Sequence, residues 1–152
     1  MRHLLTCGLC LQLYGVSPLF AQVGMERVVS IEVYSMSLST TTRFDYSPAF
    51  LVSSIDSVDE NGSNAANRFR VQLSAEEVDR IWPKLSKLIE VPDSSAQMLL
   101  DCRVVLQLTT SNGGLRQVSL DAAKQAVVDG YRLQTGNRIY RLMRRVVPSI
   151  GQ

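Results

Sequence analysis

Between residues 97 and 120, in QMLLDCRVVLQLTTSNGGLRQVSL, the apolar side chains Met98, Leu100, Cys102, Val104, Leu106 and Leu108 fall on every second position. Asp101, Arg103, Gln107 and Thr109 fill positions between them. Successive side chains of a strand point to opposite faces, so this period predicts a strand with one buried and one wetter face. Ser111-Asn112-Gly113-Gly114 follows, a run that turns readily and tolerates positive φ, and residues 115–120 extend the chain again. The two runs read as a hairpin at the centre of a sheet. The rest of the chain must supply the flanking strands and the helices that cover them.

Residues 26–38 alternate Val29, Ile31 and Val33 against Ser30, Glu32 and Tyr34, which predicts a first strand. Residues 39–47 are polar and end at Pro48, as suits a loop or a ragged sheet edge. Residues 50–58 read as a second strand and 59–67 as an exposed turn. Residues 68–73, with Phe69, Val71 and Leu73 in alternation, read as a third strand paired to the second through that turn. Ser74 and Glu77 form a capping box, and Val78, Ile81, Trp82, Leu85, Leu88 and Ile89 line one helical face behind it. That spacing predicts a helix over 75–90, kinked at Pro83 or divided into two short helices, because an interior proline removes a hydrogen bond and clashes one turn back.

Toward the end, residues 126–133 read as an extended pair around Asp129-Gly130, with a helix as the alternative. Asn137 can cap a last helix over 138–147, whose Ile139, Leu142, Met143 and Val146 share a face, and Pro148 stops it. Strand runs interspersed with two helices, without regular alternation, predict an α+β domain. Its mostly antiparallel sheet has five or six strands, with both helices against one face.

The amino terminus sets the expected compartment. Arg2 precedes a mostly apolar run from Leu4 to Phe20, and Ala21 is a small residue after which cleavage suits a secretory signal. The run is broken by Gly8, Gln12, Gly15 and Pro18 and falls short of the ~20 apolar residues of a spanning helix. Residues 1–21 are therefore expected to be a signal peptide and 22–152 one exported, periplasmic or secreted, domain with no stable membrane insertion. The signal would carry away His3, the single histidine, and Cys7 and Cys10, two of the three cysteines. A mature chain without histidine, and with Cys102 alone, excludes Ser-His-Asp and Cys-His nucleophiles, a histidine-ligated metal and an internal disulfide. No metal and no cofactor are expected. Taking Arg2 from the 16 basic side chains leaves 15 against 14 acidic ones, so global charge selects no partner.

The chemistry-bearing residues are few. Asp101 and Arg103, two apart on the wetter strand face, are candidates for a ligand or partner contact, joined by Arg70 or Arg116 from neighbouring strands. On the last helix Arg138, Arg141, Arg144 and Arg145 spread opposite the apolar face, and Arg138, Arg141 and Arg145 are taken as a partner surface. Cations near a helix C-terminus also offset its dipole, which is their purely structural role. Gly113-Gly114 lacks the strand-turn-helix setting of a phosphate loop, and nothing basic is interleaved with aromatic side chains as nucleic-acid binding requires. The expected function is a small non-catalytic binding or inhibitory module of the bacterial envelope, with another envelope protein as partner. A small carboxylate-dependent hydrolase and a structural subunit joined by strand addition are the alternatives.

Overall fold

The structure is a computed structural model of the chain and describes residues 26–38, 45–56, 68–90 and 101–150. The expected signal, the polar segments 39–44 and 59–67, and Met98 and Leu100 lie outside these residues. The elements run β1 (Val28–Met36), α1 (Pro48–Asp56), β2 (Arg68–Gln72), α2 (Ala75–Ile89), β3 (Cys102–Thr110), β4 (Leu115–Asp121), β5 (Ala126–Val128), β6 (Tyr131–Leu133) and α3 (Gly136–Arg144). The six strands form one antiparallel sheet in the order β2-β1-β3-β4-β5-β6. The architecture is the expected α+β, with three helices among the described residues where two were expected.

The hairpin at the centre is β3 and β4, with Leu106 opposite Val118 and Gln107 opposite Gln117. Its turn is closed by Thr110 N donating to Gly114 O at 2.8 Å and Gly113 N to Thr110 O at 2.9 Å. β1 lies along the other side of β3, setting Ile31 opposite Leu108 and Val33 opposite Leu106. Flanked on both sides, β3 is buried without a break from Cys102 to Leu106.

Both faces of the sheet are covered, which corrects the expectation of helices on one face. Ile31, Val33, Val104, Leu106, Leu108, Val118 and Leu120 join Leu85 of α2 and Ile139 of α3 in the larger cluster. On the opposite face Tyr34, Met36, Cys102, Val105 and Val127 pack around Leu51 of α1. Residues 48–56 are thus a helix, where a strand over 50–58 was expected. Ser47 begins it, its carbonyl accepting from Leu51 N at 3.0 Å and its hydroxyl from Phe50 N at 3.1 Å. Pro48 follows at the first helical position, where a missing N–H costs nothing. Ser53 and Ser54 turn their hydroxyls back onto the carbonyls of Phe50 and Leu51. With that segment helical, β2 pairs with β1 instead, Val71 opposite Val33 and Arg70 opposite Tyr34.

Two bulges redirect side chains that alternation alone assigns to the wrong side. Between Val28 and Ser30 the β1 register slips, and Val29, in alternation with the buried Ile31 and Val33, is 49 % exposed. Between Cys102 and Val104 the β3 register slips against β4. One extra residue in a strand moves what precedes it to the other face. Cys102 therefore packs with Val105 beneath α1, and not in line with Val104 and Leu106 as the period implied.

α2 opens on the expected capping box: Ser74 Oγ accepts from Glu77 N at 3.3 Å while Glu77 accepts from Ser74 N at 2.9 Å. These bonds to the carboxylate, the one from Ser74 N foremost, hold the Glu77 pKa below its ordinary value. The helix runs through Pro83 as one element, ending at Ile89. A lost interior bond costs ~3 kcal/mol. Val78, Ile81, Leu85 and Ile89 are all buried on one face, and at ~2 kcal/mol for each buried side chain they outweigh that loss.

The chain closes through a two-residue turn between β5 and β6, where Asp129 (φ 48°) and Gly130 (φ 91°) both take the left-handed conformation that matches strand twist. α3 begins at Gly136 behind Thr135 and ends at Arg144, which corrects both the expected span 138–147 and Asn137 as the cap. The Thr135 hydroxyl donates to Leu88 O at 2.6 Å and ties the start of α3 to the end of α2. Gly136 lies so close to the β4–β5 turn that a Cβ there would stand 2.1 Å from the Lys124 carbonyl oxygen and 2.9 Å from Ala126 N. Backbone can yield only by moving the turn away from the helix. Gly136→Ala is therefore expected to destabilise the domain by ~3 kcal/mol, the upper range for overpacking, read as a lower melting temperature; melting like the parent would show that helix and turn are not in this contact.

Candidate functional site

The turn that Gly136 admits carries a lysine. β4 ends at Asp121, and the chain reaches β5 through Lys124 N donating to Asp121 O at 3.0 Å and Gln125 N to Asp121 Oδ1 at 2.8 Å. Lys124 is held at φ 62°, one of two non-glycine residues in the left-handed region among those described. Its ammonium stands 4.9 Å from the centroid of the Tyr140 ring, a cation–π contact that turns it toward α3.

There it meets the arginines of the helix. Lys124, Asn137, Tyr140, Arg141, Arg144 and Arg145 line an open depression of about 330 Å³. Tyr140 is buried and forms its floor, while Asn137 and the three arginines are exposed at the rim. Arg141 Nε donates to the Asn137 carbonyl at 3.3 Å, which draws its guanidinium along the helix. Among the described residues none of these four cations, nor Arg138, forms an ion pair; the described pairs are Arg27–Asp79, Arg70–Glu32, Arg103–Asp101 and Arg116–Asp129. Asp121, in the same turn, does not line the depression, and its carboxylate accepts from Gln125 N. Arg138 is exposed on α3 but lies outside the depression.

Asp101 and Arg103 are placed elsewhere. The β3 bulge turns Arg103 under α1, where its side chain is 5 % exposed, against the wetter position expected for it. Its guanidinium bonds the Asp101 carboxylate and approaches Met36 Sδ at 3.5 Å. Asp101 Oδ1 also accepts from Tyr46 N at 3.1 Å, and Cys102 N donates to Tyr46 O at 2.8 Å. The pair thus anchors the chain entering α1 to the start of β3. Arg70 and Arg116, expected beside it, pair with Glu32 and Asp129.

The part of the second face beyond α1 is polar. A row crosses four strands, Gln72 opposite Glu32, Glu32 opposite Gln107 and Gln107 opposite Gln117. The Tyr34 hydroxyl donates to Glu32 at 2.8 Å, and this bond, with Arg70, holds the Glu32 pKa below the ordinary carboxylate range against the opposing effect of burial. Glu32 is thereby kept ionised, which suits a surface ion pair and not a proton donor. No group of three or more His, Cys, Asp or Glu side chains is placed to hold a metal among the described residues.

Of the cations at the depression, the helical ones carry a periodic sequence signal and Lys124 carries none. It is brought there by the glycine at 136, and only the adjacency of turn and helix reveals it. Comparison of the chain with protein-family models, with curated proteins and with solved structures yields no match.

Burial beneath α1 pushes the Cys102 thiol up to about 12, with the Ser119 hydrogen bond and Arg103 opposing. The thiol stays protonated and shielded near neutral pH. In the folded protein the Cys102 peptide is expected to escape alkylation at mildly alkaline pH and to be modified after denaturation. Labelling of the native protein at the rate of a free thiol would contradict this placement.

Proposed function

We propose that the chain is a small, exported, non-catalytic binding module of the bacterial envelope, which docks an anionic face of another envelope component against α3 and the β4–β5 turn. One observation carries the reading: a lysine from a separate element is held in a backbone conformation costing ~1–2 kcal/mol and joins arginines that have no carboxylate partner among the described residues. Offsetting the helix dipole explains cations in the last turn of α3. It does not explain Lys124, which is outside the helix and faces Tyr140 in its middle. Arginine suits such a surface, since its fork of donors matches carboxylate and phosphate oxygens. The apolar run and small residue at the amino terminus support export.

Two measurements test the proposal together. Protein recovered from the periplasm of a bacterial host should have the intact mass of residues 22–152. Capture of an envelope partner by the domain should fall steeply with salt, as screening of exposed charges requires. It should be lost when Arg138, Arg141 and Arg145 are replaced by Gln, with melting unchanged. Retention of Met1, or partner capture indifferent to the triple replacement at every salt concentration, would overturn the reading.

A further inference from the structure

We infer that the depression between α3 and the β4–β5 turn is a phosphate-binding pocket, taking the terminal phosphate of a monoester whose remainder stays in solvent or membrane. The inference rests on the reading of α3 as the contact face and specifies the group that face recognises. The donor set selects the chemistry. The rim presents three guanidinium forks and the Asn137 amide, Lys124 adds an ammonium, and no carboxylate lines the depression. A phosphomonoester brings three acceptor oxygens and a charge of about −1.5 to −2 near neutral pH, against two oxygens and one charge for a carboxylate. The third oxygen and the larger charge make the phosphomonoester the better match to Lys124 and the arginines together.

The local field agrees in sign. The C-terminal end of a helix carries the equivalent of about half a negative charge, and Arg144 and Arg145 there, with Arg141 one turn back and Lys124 across from it, exceed that several times over. Size also agrees, for about 330 Å³ lies at the small end of the ~300–1,000 Å³ typical of ligand sites. Tyr140 is buried beneath the depression with its ring 4.9 Å from the Lys124 ammonium, which holds that charge among the lining residues. Free phosphate and a phospholipid headgroup of the monoester kind share this chemistry.

Calorimetric titration of the protein with inorganic phosphate, with acetate as the carboxylate control, tests the pocket. Saturable phosphate binding is expected, weakened about tenfold by either Arg144→Gln or Lys124→Gln and by no more than about twofold by Arg138→Gln, the loss of one charge-assisted bond accounting for the difference. A second arm uses phosphatidylcholine vesicles with and without phosphatidic acid. Binding of the phosphatidic acid vesicles alone, with the same dependence on Arg144 and Lys124, also sustains the pocket and identifies its ligand as a headgroup. Acetate binding as tightly as phosphate, or Arg138→Gln weakening binding as much as Arg144→Gln, would overturn it in favour of diffuse attraction to acidic protein. Absence of binding in both arms would overturn it too; if partner capture still depended on the α3 arginines, the docking proposal would survive without the pocket.

Discussion

Everything in this domain depends on β3 being buried on both of its faces. A strand in that position cannot use the alternation of an exposed sheet, so each of its residues from Cys102 to Leu106 needs a covering layer. α2 and α3 supply it on one side and α1 on the other. The bulge at Arg103 is what allows an arginine into such a strand. It turns the side chain toward the rim of the α1 layer, where Asp101 neutralises it, and the alternating register resumes at Val104. Breaking one half of such a buried pair costs far more than the pair contributes, since the remaining charge is left in a poor solvent.

The same layering determines where function can reside. The larger core faces α2 and α3, and α3 presents to solvent the side opposite Ile139 and Met143. That side is the one populated by arginine. Because Thr135 bonds the end of α2 and Gly136 abuts the β4–β5 turn, α3 is held at its start against two separate elements. A helix so constrained fixes the backbone positions from which its arginines project.

Much of this was legible in the sequence, and the failures have physical causes. The β3–β4 hairpin, the Asp129-Gly130 turn and the start of α2 are local events, specified by alternation, by residues tolerant of positive φ and by a reciprocal cap. The α1 segment reads as a strand because Phe50, Leu51, Val52 and Ile55 include β-branched and aromatic side chains that favour strands, whereas Ser47-Pro48 is the local signal for a helix start. Alternation puts Cys102 in line with Val104, and Val29 in line with Ile31, because a bulge is decided by the neighbouring strand and leaves no mark on a single sequence. The arginines at Arg138, Arg141 and Arg145 carry helical spacing and could be singled out; Lys124 could not, since its place beside them is set by a close approach of two segments.

The position of β1 shapes how the chain can reach this state. First of the described strands in sequence, it lies between β2 and β3 in the sheet, and its pairing of Val28 with Thr110 closes a loop of 82 residues, 110 less 28. The meander from β3 to β6 involves only short separations. Loop-closure entropy therefore favours assembly of the meander before β1 arrives, and contacts of long sequence separation make such folding slow. Without β1, β3 would be an edge strand carrying Val104, Leu106 and Leu108 with the backbone groups on that side unpaired, the kind of edge that recruits foreign strands. Pairing of β1 with β3 thus removes an edge through which one copy of the chain could recruit another.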